Sequence, residues 1–466
     1  MRKGQMVYGR NRHSRAAWAK FLLTRLAGLA IDSIVLAVAY VAAFALRLDF
    51  HAPSWGWRAT AQSFAVVCAV HLIALVVAGV YRLSWRRIRG CELPRYIGAM
   101  VLACVMLTAM RLLTPDVSMA RLRPPYSVTL ISFFLGTIGI VGVRVLWRLY
   151  WEGRCGDEAL LERKVRTFDN QAVARFFAGR TVMVTGAGGS IGGEIVRQLL
   201  AAGVAKVLMV ERSEGALYEI DRALCDSRAV ALMRDVNDCE RMREVVVREK
   251  PSVILHAAAY KHVPMVERNP EEGWRNNAEA TRRLAELALE TGVERFVLIS
   301  TDKAVNPVSV MGKTKRAAEL AVMELNERAR RESRETSFCA VRFGNVFGSS
   351  GSVVQLFREQ IARKQPLTVT HPEMRRYFMT IQEAVSLVLQ AATRQERAIY
   401  TLDMGPSVRI VDLAEGMIEQ AGYRPYVDIP IVFTGVRPGE KLFEEIDVSE
   451  KACFKTDMAK IYITKG

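Results

Sequence analysis

The sequence predicts a four-helix transmembrane N-terminal region followed by α/β structure, a doubly wound parallel sheet with a smaller C-terminal α/β lobe. Three observations carry this. Four long apolar stretches precede Trp151. The β-branched run Thr181–Thr185 enters a glycine-rich turn and then a helical pattern. Beyond it, short apolar runs and helix-period segments alternate, as in a parallel sheet with crossover helices. A chain of 466 residues that is 51% hydrophobic and 24% charged is no disordered chain, collagen or small disulfide scaffold. Its net charge of +17 suggests a nucleic-acid binder until the charge is located. Residues 1–155 hold 20 Lys and Arg against 5 Asp and Glu, and the remaining 311 hold 45 against 43. The excess belongs to the apolar third, which points to membrane topology and to no nucleic acid.

The apolar stretches are Leu26–Leu46, Ser63–Val80, Tyr96–Met110 and Tyr126–Val143. About 20 apolar residues cross a bilayer core, which favours the second and fourth and makes the third the weakest. With their flanks the spans are expected at about 20–46, 61–81, 95–113 and 126–148, inside a membrane domain of residues 1–151. The first stretch is too long for a cleavable signal peptide. Arg2, Lys3, Arg10, Arg12, Arg15 and Lys20 precede the first span, and Arg82, Arg86, Arg87, Arg89 and Arg95 lie between the second and third. Basic loops stay in the cytoplasm, so both termini are expected there. Asp32 is a charge inside a span. It is either a functional group or the partner of Arg25 or of a neighbouring helix.

Residues 152–179 read as a polar linker with one helix over Asn170–Ala178, and 180–466 as the second domain. Thr181–Thr185 is a strand, Gly186-Ala-Gly-Gly189-Ser190-Ile191-Gly192 a turn, and Gly193–Leu200 a helix. Such glycines bring backbone N–H groups up to a pyrophosphate at a helix N-terminus, the Rossmann arrangement for a dinucleotide. The next strand, Val207–Val210, ends at Glu211. An acid there accepts hydrogen bonds from ribose hydroxyls and favours NAD, while neighbouring Arg212 leaves NADP open. Three further strands, Val253–Leu255, Phe296–Ile299 and Phe338–Val341, lead into His256–His262, Ser300–Lys303 and Arg342–Asn345. Helices are expected at Ala280–Leu289 and Lys315–Glu327; the apolar face of the first serves either subunit pairing, in a homo-oligomer, or the core. Ligands bind at the carboxyl ends of such strands, where the polar clusters fall. The eight cysteines form no CxxC pair, so neither a metal site nor a disulfide framework is expected.

The turn Thr185–Gly192 resembles the cofactor loop of extended short-chain dehydrogenases acting on nucleotide sugars. His256-Ala-Ala-Ala-Tyr-Lys-His-Val263, Ser300-Thr-Asp-Lys-Ala-Val-Asn-Pro307, Arg342-Phe-Gly-Asn-Val346, Arg376-Tyr-Phe-Met-Thr380 and Arg437-Pro-Gly-Glu-Lys441 narrow the resemblance. Together they are similar to the membrane-bound UDP-N-acetylglucosamine 4,6-dehydratases of bacterial glycan synthesis, over about residues 180–460. Large members of that family carry a second Rossmann-like domain between spans and catalytic domain. Here the stretch between Trp151 and Thr181 is too short for one. Many relatives also continue with a helical tail past the position of Ile461-Tyr-Ile463.

The resemblance implies a bacterial inner-membrane, multi-pass lyase with a cytoplasmic catalytic domain, a UDP-sugar substrate and NAD. Hydride leaves C4 of the sugar, water is eliminated across C5–C6, and hydride returns to C6. It assigns Asp302 as acid and Lys303 as base, in an order left open. Thr301 binds the C4 hydroxyl, and Lys315 the nicotinamide ribose. The short-chain tyrosine position holds Met311, which cannot transfer a proton; the membrane-bound subgroup resembles this chain in having Met there. The bland reading of Thr301-Asp302-Lys303 is a helix N-cap after a strand. The cofactor would meet Gly186, Gly189, Ser190, Ile191, Gly192, Glu211, Arg212, Asp235, Val236, Ala257, Ala258 and Ala259. The substrate would meet Lys261, His262, Asn345, Ser352, Arg376, Arg437 and Glu440, in a lobe drawn mainly from 346–380 and 400–466. Each Arg has a surface ion pair as its alternative. A nucleotide-sugar 4-epimerase would share the loop and the nucleotide site but need no Asp302–Lys303 pair. A non-catalytic nucleotide-sugar-binding scaffold would account for Met311.

Overall fold

The computed structural model describes residues 13–48, 57–82, 93–113, 124–152, 170–394, 396–445, 453–458 and 460–464. The chain divides into two compact units, Met1–Gly156 with Glu419–Arg424, and Asp157–Ile418 with Pro425–Gly466. In the first, α1 (His13–Arg47), α2 (Trp57–Val77), α3 (Leu93–Leu113) and α4 (Tyr126–Glu152) form a helical bundle. Among the described residues, three helices are long and apolar enough to cross a membrane: Leu26–Arg47, Leu93–Leu113 and Tyr126–Trp147, with 22, 21 and 22 residues. Within α2 the apolar stretch Ala61–Val77 is shorter, but the helix itself has 21 residues, as many as α3, so the third stretch is no weaker than the second. The helix α2 gives way near Ala78-Gly79, before a short turn at Val80–Arg82. Large apolar side chains point outward, with Val41, Val77 and Ile138 each more than half exposed, which suits lipid and not water.

Inside this bundle Asp32 is buried and faces α4. Arg144 grips it with two bonds, Nη1 to Oδ1 and Nη2 to Oδ2, each 2.6 Å. The Tyr81 hydroxyl adds a bond of 2.9 Å, and the guanidinium lies 4.9 Å from the Tyr96 ring. Of the readings left open for Asp32, the neighbouring helix supplies its partner.

The second unit is built on β1 (Thr181–Thr185), β2 (Lys206–Glu211), β3 (Ala229–Met233), β4 (Val253–His256), β5 (Arg295–Ile299) and β6 (Ser337–Arg342). They pair in parallel in the order β3-β2-β1-β4-β5-β6. The order reverses between β1 and β4, the switch point where open α/β sheets bind ligands. Period-two side chains feed two cores. Val182, Val184, Leu255 and Val341 face one with helices Ser190–Ala201 and Ile381–Thr393. Met183, Leu208, Phe296 and Phe338 face the other with helices Cys239–Glu249, Ala280–Thr291 and Val310–Arg331.

Past β6 the residues 400–466 are divided between the main sheet and the two-stranded pairs beyond it. Ile399–Leu402 adds to β6 in parallel, then Ile461–Thr464 and Cys453–Lys455 add antiparallel, giving nine strands. The lobe itself rests on two-stranded pairs: Asn345–Val346 with Phe378–Met379, Arg375–Arg376 with Val408–Arg409, and Leu367–Val369 with Ile431–Phe433. A helix at Asn170–Phe177 precedes β1; residues 153–169 lie outside the described residues.

Candidate active site

A cleft of about 650 Å³ opens at the carboxyl ends of β1, β4, β5 and β6. Its floor begins with the glycine turn. Gly186 adopts φ +69°, and a Cβ there would lie 2.8 Å from the Ala258 backbone. A Cβ on Gly192 would lie 2.1 Å from the Gly186 oxygen. The turn is therefore closed to larger residues and folds back under the helix Ser190–Ala201, whose N-cap is Gly189 with no side-chain cap. A helix start lined by bare backbone fits a pyrophosphate. At the end of β2, the Glu211 carboxylate accepts from Gly188 N at 3.2 Å and Ser213 N at 3.0 Å. It thus stands beside the turn, where a ribose would sit.

Of the residues expected at the cofactor, Gly186, Gly189, Ser190, Ile191, Gly192, Ala257, Ala259 and Lys315 line the cleft. Glu211, Arg212, Asp235, Val236 and Ala258 are not on its wall. Arg212 is folded onto Tyr260, donating to its hydroxyl at 2.8 Å and lying 4.8 Å from its ring centre. Asp235 accepts from the backbone and side-chain nitrogens of Asn237. Val236 is a core residue, 6% exposed, because its apolar side chain packs with helix Cys239–Glu249 and its neighbours.

Lys303 lies on the cleft wall. Thr301 caps the short turn Asp302–Ala304, its side chain accepting from Lys303 N. The cap is formed by the same residues that make the polar cluster, so the capping role is present and leaves the side chains of Thr301 and Lys303 at the cleft. The Thr301 hydroxyl donates to Asp302 Oδ1 at 2.8 Å. Lys303 Nζ donates to the same oxygen at 3.0 Å and to Asn345 Oδ1 at 3.1 Å. Asp302 is enclosed, 1% exposed, and is not on the cleft wall, whereas Thr301 and Lys303 are. Burial works against the Lys303 ammonium, but the charges of Asp302 and Glu444 outweigh it and raise its pKa above the usual lysine range. Lys315 is the opposite case: burial pushes its amine down to about 8, and its Nζ donates to the Ile299 carbonyl at 2.6 Å. Met311 lies on the cleft wall. His256 is structural, held between Thr185 Oγ1 at 2.7 Å and Thr281 Oγ1 at 2.9 Å; burial lowers its pKa to about 3.

Lys261, His262, Asn345, Ser352, Arg376, Arg437 and Glu440 all line the cleft. Arg376 is no surface ion pair. It is buried and donates to the carbonyls of Lys441 at 2.8 Å and Leu442 at 3.2 Å, with Glu440 at 3.6 Å. Arg437 is exposed. His262 packs against Gly351. Sequence reasoning missed three parts. Glu444 lines the cleft beside Lys303 and Arg376, 3.6 and 3.7 Å away. Asn277 bonds both Tyr260 N and Tyr260 O and so fixes the loop after β4. Glu319, one helical turn after Lys315, binds Arg342 at 2.7 and 2.6 Å and Ser300 at 2.6 Å. The i, i+4 spacing of Lys315 and Glu319 was the available signal for the last.

The chain has relatives among known proteins. It is 46% identical over 315 residues to the probable polysaccharide biosynthesis protein EpsC of Bacillus subtilis, covering 66% of this chain and 52% of that one. It is 48% identical over 295 residues to the capsular polysaccharide biosynthesis protein CapD of Staphylococcus aureus, covering 62% and 48%. The chain thus spans about half the length of these two curated relatives. A UDP-N-acetylglucosamine 4,6-dehydratase (inverting) of Campylobacter jejuni is 32% identical over 270 residues, covering 58% of this chain and 77% of its own. A UDP-glucose 4-epimerase of Rickettsia rickettsii is 31% identical over 291 residues, covering 61% and 83%. Among solved structures, Pen from Bacillus thuringiensis superposes with a TM-score of 0.57 at 30% identity, covering 62% of this chain and 90% of that one. DesIV, a dTDP-glucose 4,6-dehydratase from Streptomyces venezuelae solved with NAD and TYD, gives 0.52 at 20% identity over 57% and 88%, a likeness of fold. Residues 182–466, more than half of the sequence, match the family described as polysaccharide biosynthesis protein. The membrane-type helices and the dinucleotide-type sheet therefore belong to a chain of the polysaccharide biosynthesis protein family, whose characterised relatives are nucleotide-sugar dehydratases and epimerases.

Proposed function

We propose that this chain is a membrane-anchored, NAD-dependent nucleotide-sugar 4,6-dehydratase acting on UDP-N-acetylglucosamine for a bacterial surface glycan. The observation that carries the reading is the Asp302–Lys303 pair, 3.0 Å apart, with its carboxylate buried and its amine on the cleft wall. Elimination of water across C5–C6 needs a proton acceptor and a proton donor side by side. An epimerase needs neither, although the Rickettsia relative keeps that second reading in play.

Bound NAD would take hydride from C4 and supply it to C6. The glycine turn and the N-terminus of helix Ser190–Ala201 hold its pyrophosphate, Glu211 its adenosine ribose, and Lys315 its nicotinamide ribose. The turn fits this group because it is tight enough to admit no side chain at Gly186 or Gly192, where a Cβ would strike the chain's own backbone, and it brings the uncapped start of the helix to the cleft. Thr301 bonds the C4 hydroxyl, whose proton passes to solvent as the hydride departs. Lys303 takes the C5 proton, and Asp302, reached from the cleft through the Thr301 hydroxyl and Lys303 amine bonded to its Oδ1, supplies the proton with which the C6 hydroxyl leaves as water and regains one from solvent. Met311 transfers no proton and shapes the wall. Asn345, Ser352, Arg376, Arg437 and Glu440 hold the diphosphate and uridine, with Lys261 and His262 positioning the loop or the sugar.

The four helices would cross the bacterial inner membrane with both ends and the cleft in the cytoplasm, the orientation favoured by Arg82–Arg95. Incubating the full chain in detergent with UDP-N-acetylglucosamine and NAD tests the function. A product lighter by one water supports the dehydratase. An isomer of unchanged mass would make the chain an epimerase, and no turnover with retained nucleotide binding would make it a scaffold.

A further inference from the structure

Lys303 is approached by carboxylates from two directions, and only one of them is its neighbour in sequence. Asp302 reaches Nζ from the same turn, at 3.0 Å. Glu444 comes from a segment more than a hundred residues later and places Oε1 at 3.6 Å. Glu444 is 8% exposed, and its Oε2 has no hydrogen-bond partner. A buried carboxylate oxygen left without a partner is costly and calls for a reason. We propose that Glu444 is a positioning residue which, from the substrate lobe, holds the Lys303 amine in place and governs when it gives up its proton. The inference rests on the reading of Lys303 as the proton-transfer residue.

The surrounding contacts tie Glu444 to both halves of the cleft. Lys441 Nζ donates to the Val305 carbonyl at 3.1 Å, and Asn306 Nδ2 to Glu445 at 2.6 Å. These bonds fasten the 437–445 segment to the loop that carries Lys303. The same segment carries Arg437 and Glu440, which line the cleft. Arg376 grips its backbone and lies 3.7 Å from Glu444. A nucleotide held by Arg437 and Glu440 would therefore set the distance from Glu444 to Lys303.

The charges facing Nζ are Asp302, Glu444 and Arg376. Burial and Arg376 favour the neutral amine, whereas the two carboxylates favour the ammonium. With Glu444 neutralised, one carboxylate remains against burial and Arg376, so the amine loses its proton at lower pH. Lys303 uses both forms. The C5–H bond breaks as a new N–H bond forms, and that proton returns to C5 when hydride reaches C6, so the lysine ends the turnover as it began.

The test reads the lysine directly. Full-length protein in detergent is acetylated with a succinimidyl ester across a pH series, and the peptide containing Lys303 is quantified by mass spectrometry. Only the neutral amine reacts. Glu444→Gln should lower the labelling midpoint by about 1–3 pH units, the usual effect of one charge at this range. Glu444→Asp, which withdraws the charge without deleting it, should move it the same way by less. A merely structural role predicts loss of protein or activity without a shift. An unmoved midpoint in whichever of these variants folds overturns the proposal. Turnover of UDP-N-acetylglucosamine is followed separately. A wild type that removes no water refutes the dehydratase reading and leaves the labelling result to answer for Glu444.

Discussion

The Asp32–Arg144 pair makes the sharpest quantitative test of the helical bundle. Both side chains are sealed, at 0% and 1% exposure, and two bonds of 2.6 Å join them. Asp32→Leu leaves the guanidinium beside neutral groups, the Ile140 carbonyl at 3.2 Å and Tyr96. Arg144→Met leaves the carboxylate, among the described residues, with the neutral Tyr81 hydroxyl. Neither remnant balances a full charge, so each single variant should lose about 3–5 kcal/mol, the cost of orphaning a buried ion. The double variant removes both charges together and should lie within about 1–2 kcal/mol of the wild type, because apolar replacements of buried pairs are near neutral. Unfolding of the purified full chain in mixed detergent micelles, followed by far-ultraviolet circular dichroism, gives the four corners of the cycle. Strong positive coupling, with the double variant more stable than either single, is the expected result. Additive losses would mean that the two charges do not depend on each other, and the structural account of Asp32 would be refuted.

Two predictions concern the cleft. Asp302→Asn keeps the shape of the side chain and removes its titratable proton, so elimination should slow by about 10²–10⁴-fold while C4 oxidation survives; stopped-flow absorbance of reduced nicotinamide should show a stalled state, and near wild-type turnover would reject the acid role. Glu211→Ala removes an acceptor of charge-assisted bonds worth about 1.5–3 kcal/mol, so calorimetry should show NAD binding about 10–100-fold weaker, with no comparable loss for NADP; equal losses for both would show that Glu211 only braces the turn.

Local pattern carried much of the fold. Thr181–Thr185 is a strand over the expected residues because β-branched side chains, both faces covered, and a glycine turn all favour it. The helices ran longer than their apolar patterns. Val310–Arg331 begins before Lys315 because Ser309 caps it, its Oγ accepting from Gly312 N at 3.0 Å. What failed was non-local. Nothing near residue 461 announces that Ile461–Thr464 enters the main sheet through Ile399–Leu402, since that pairing joins segments some sixty residues apart. The third span was underrated for a different reason: Arg111 cuts its charge-free run short, yet the helix continues through it to Leu113 and matches the 21 residues of α2.

The same division explains which site residues could be read. Motifs reveal side chains whose neighbours in sequence build the geometry: the glycine turn makes its own cradle, and Thr301, Asp302 and Lys303 make one another's bonds. Glu444 has no such signature, because its meaning lies in Lys303 and Arg376, supplied by distant segments. Asp32 was conspicuous as a charge in a span, but its partner lay 112 positions away. An ionisable side chain closed off from water must find its counter-charge somewhere in the fold. The sequence therefore raises the question at each such residue, and only the tertiary arrangement identifies the partner. Glu444 differs from Asp32 in one respect that bears on function. Asp32 is matched by a single cation bonded to both its oxygens, which makes a lock. Glu444 is shared at longer range between two cations and keeps one oxygen unbonded, an arrangement that can change as substrate and proton arrive.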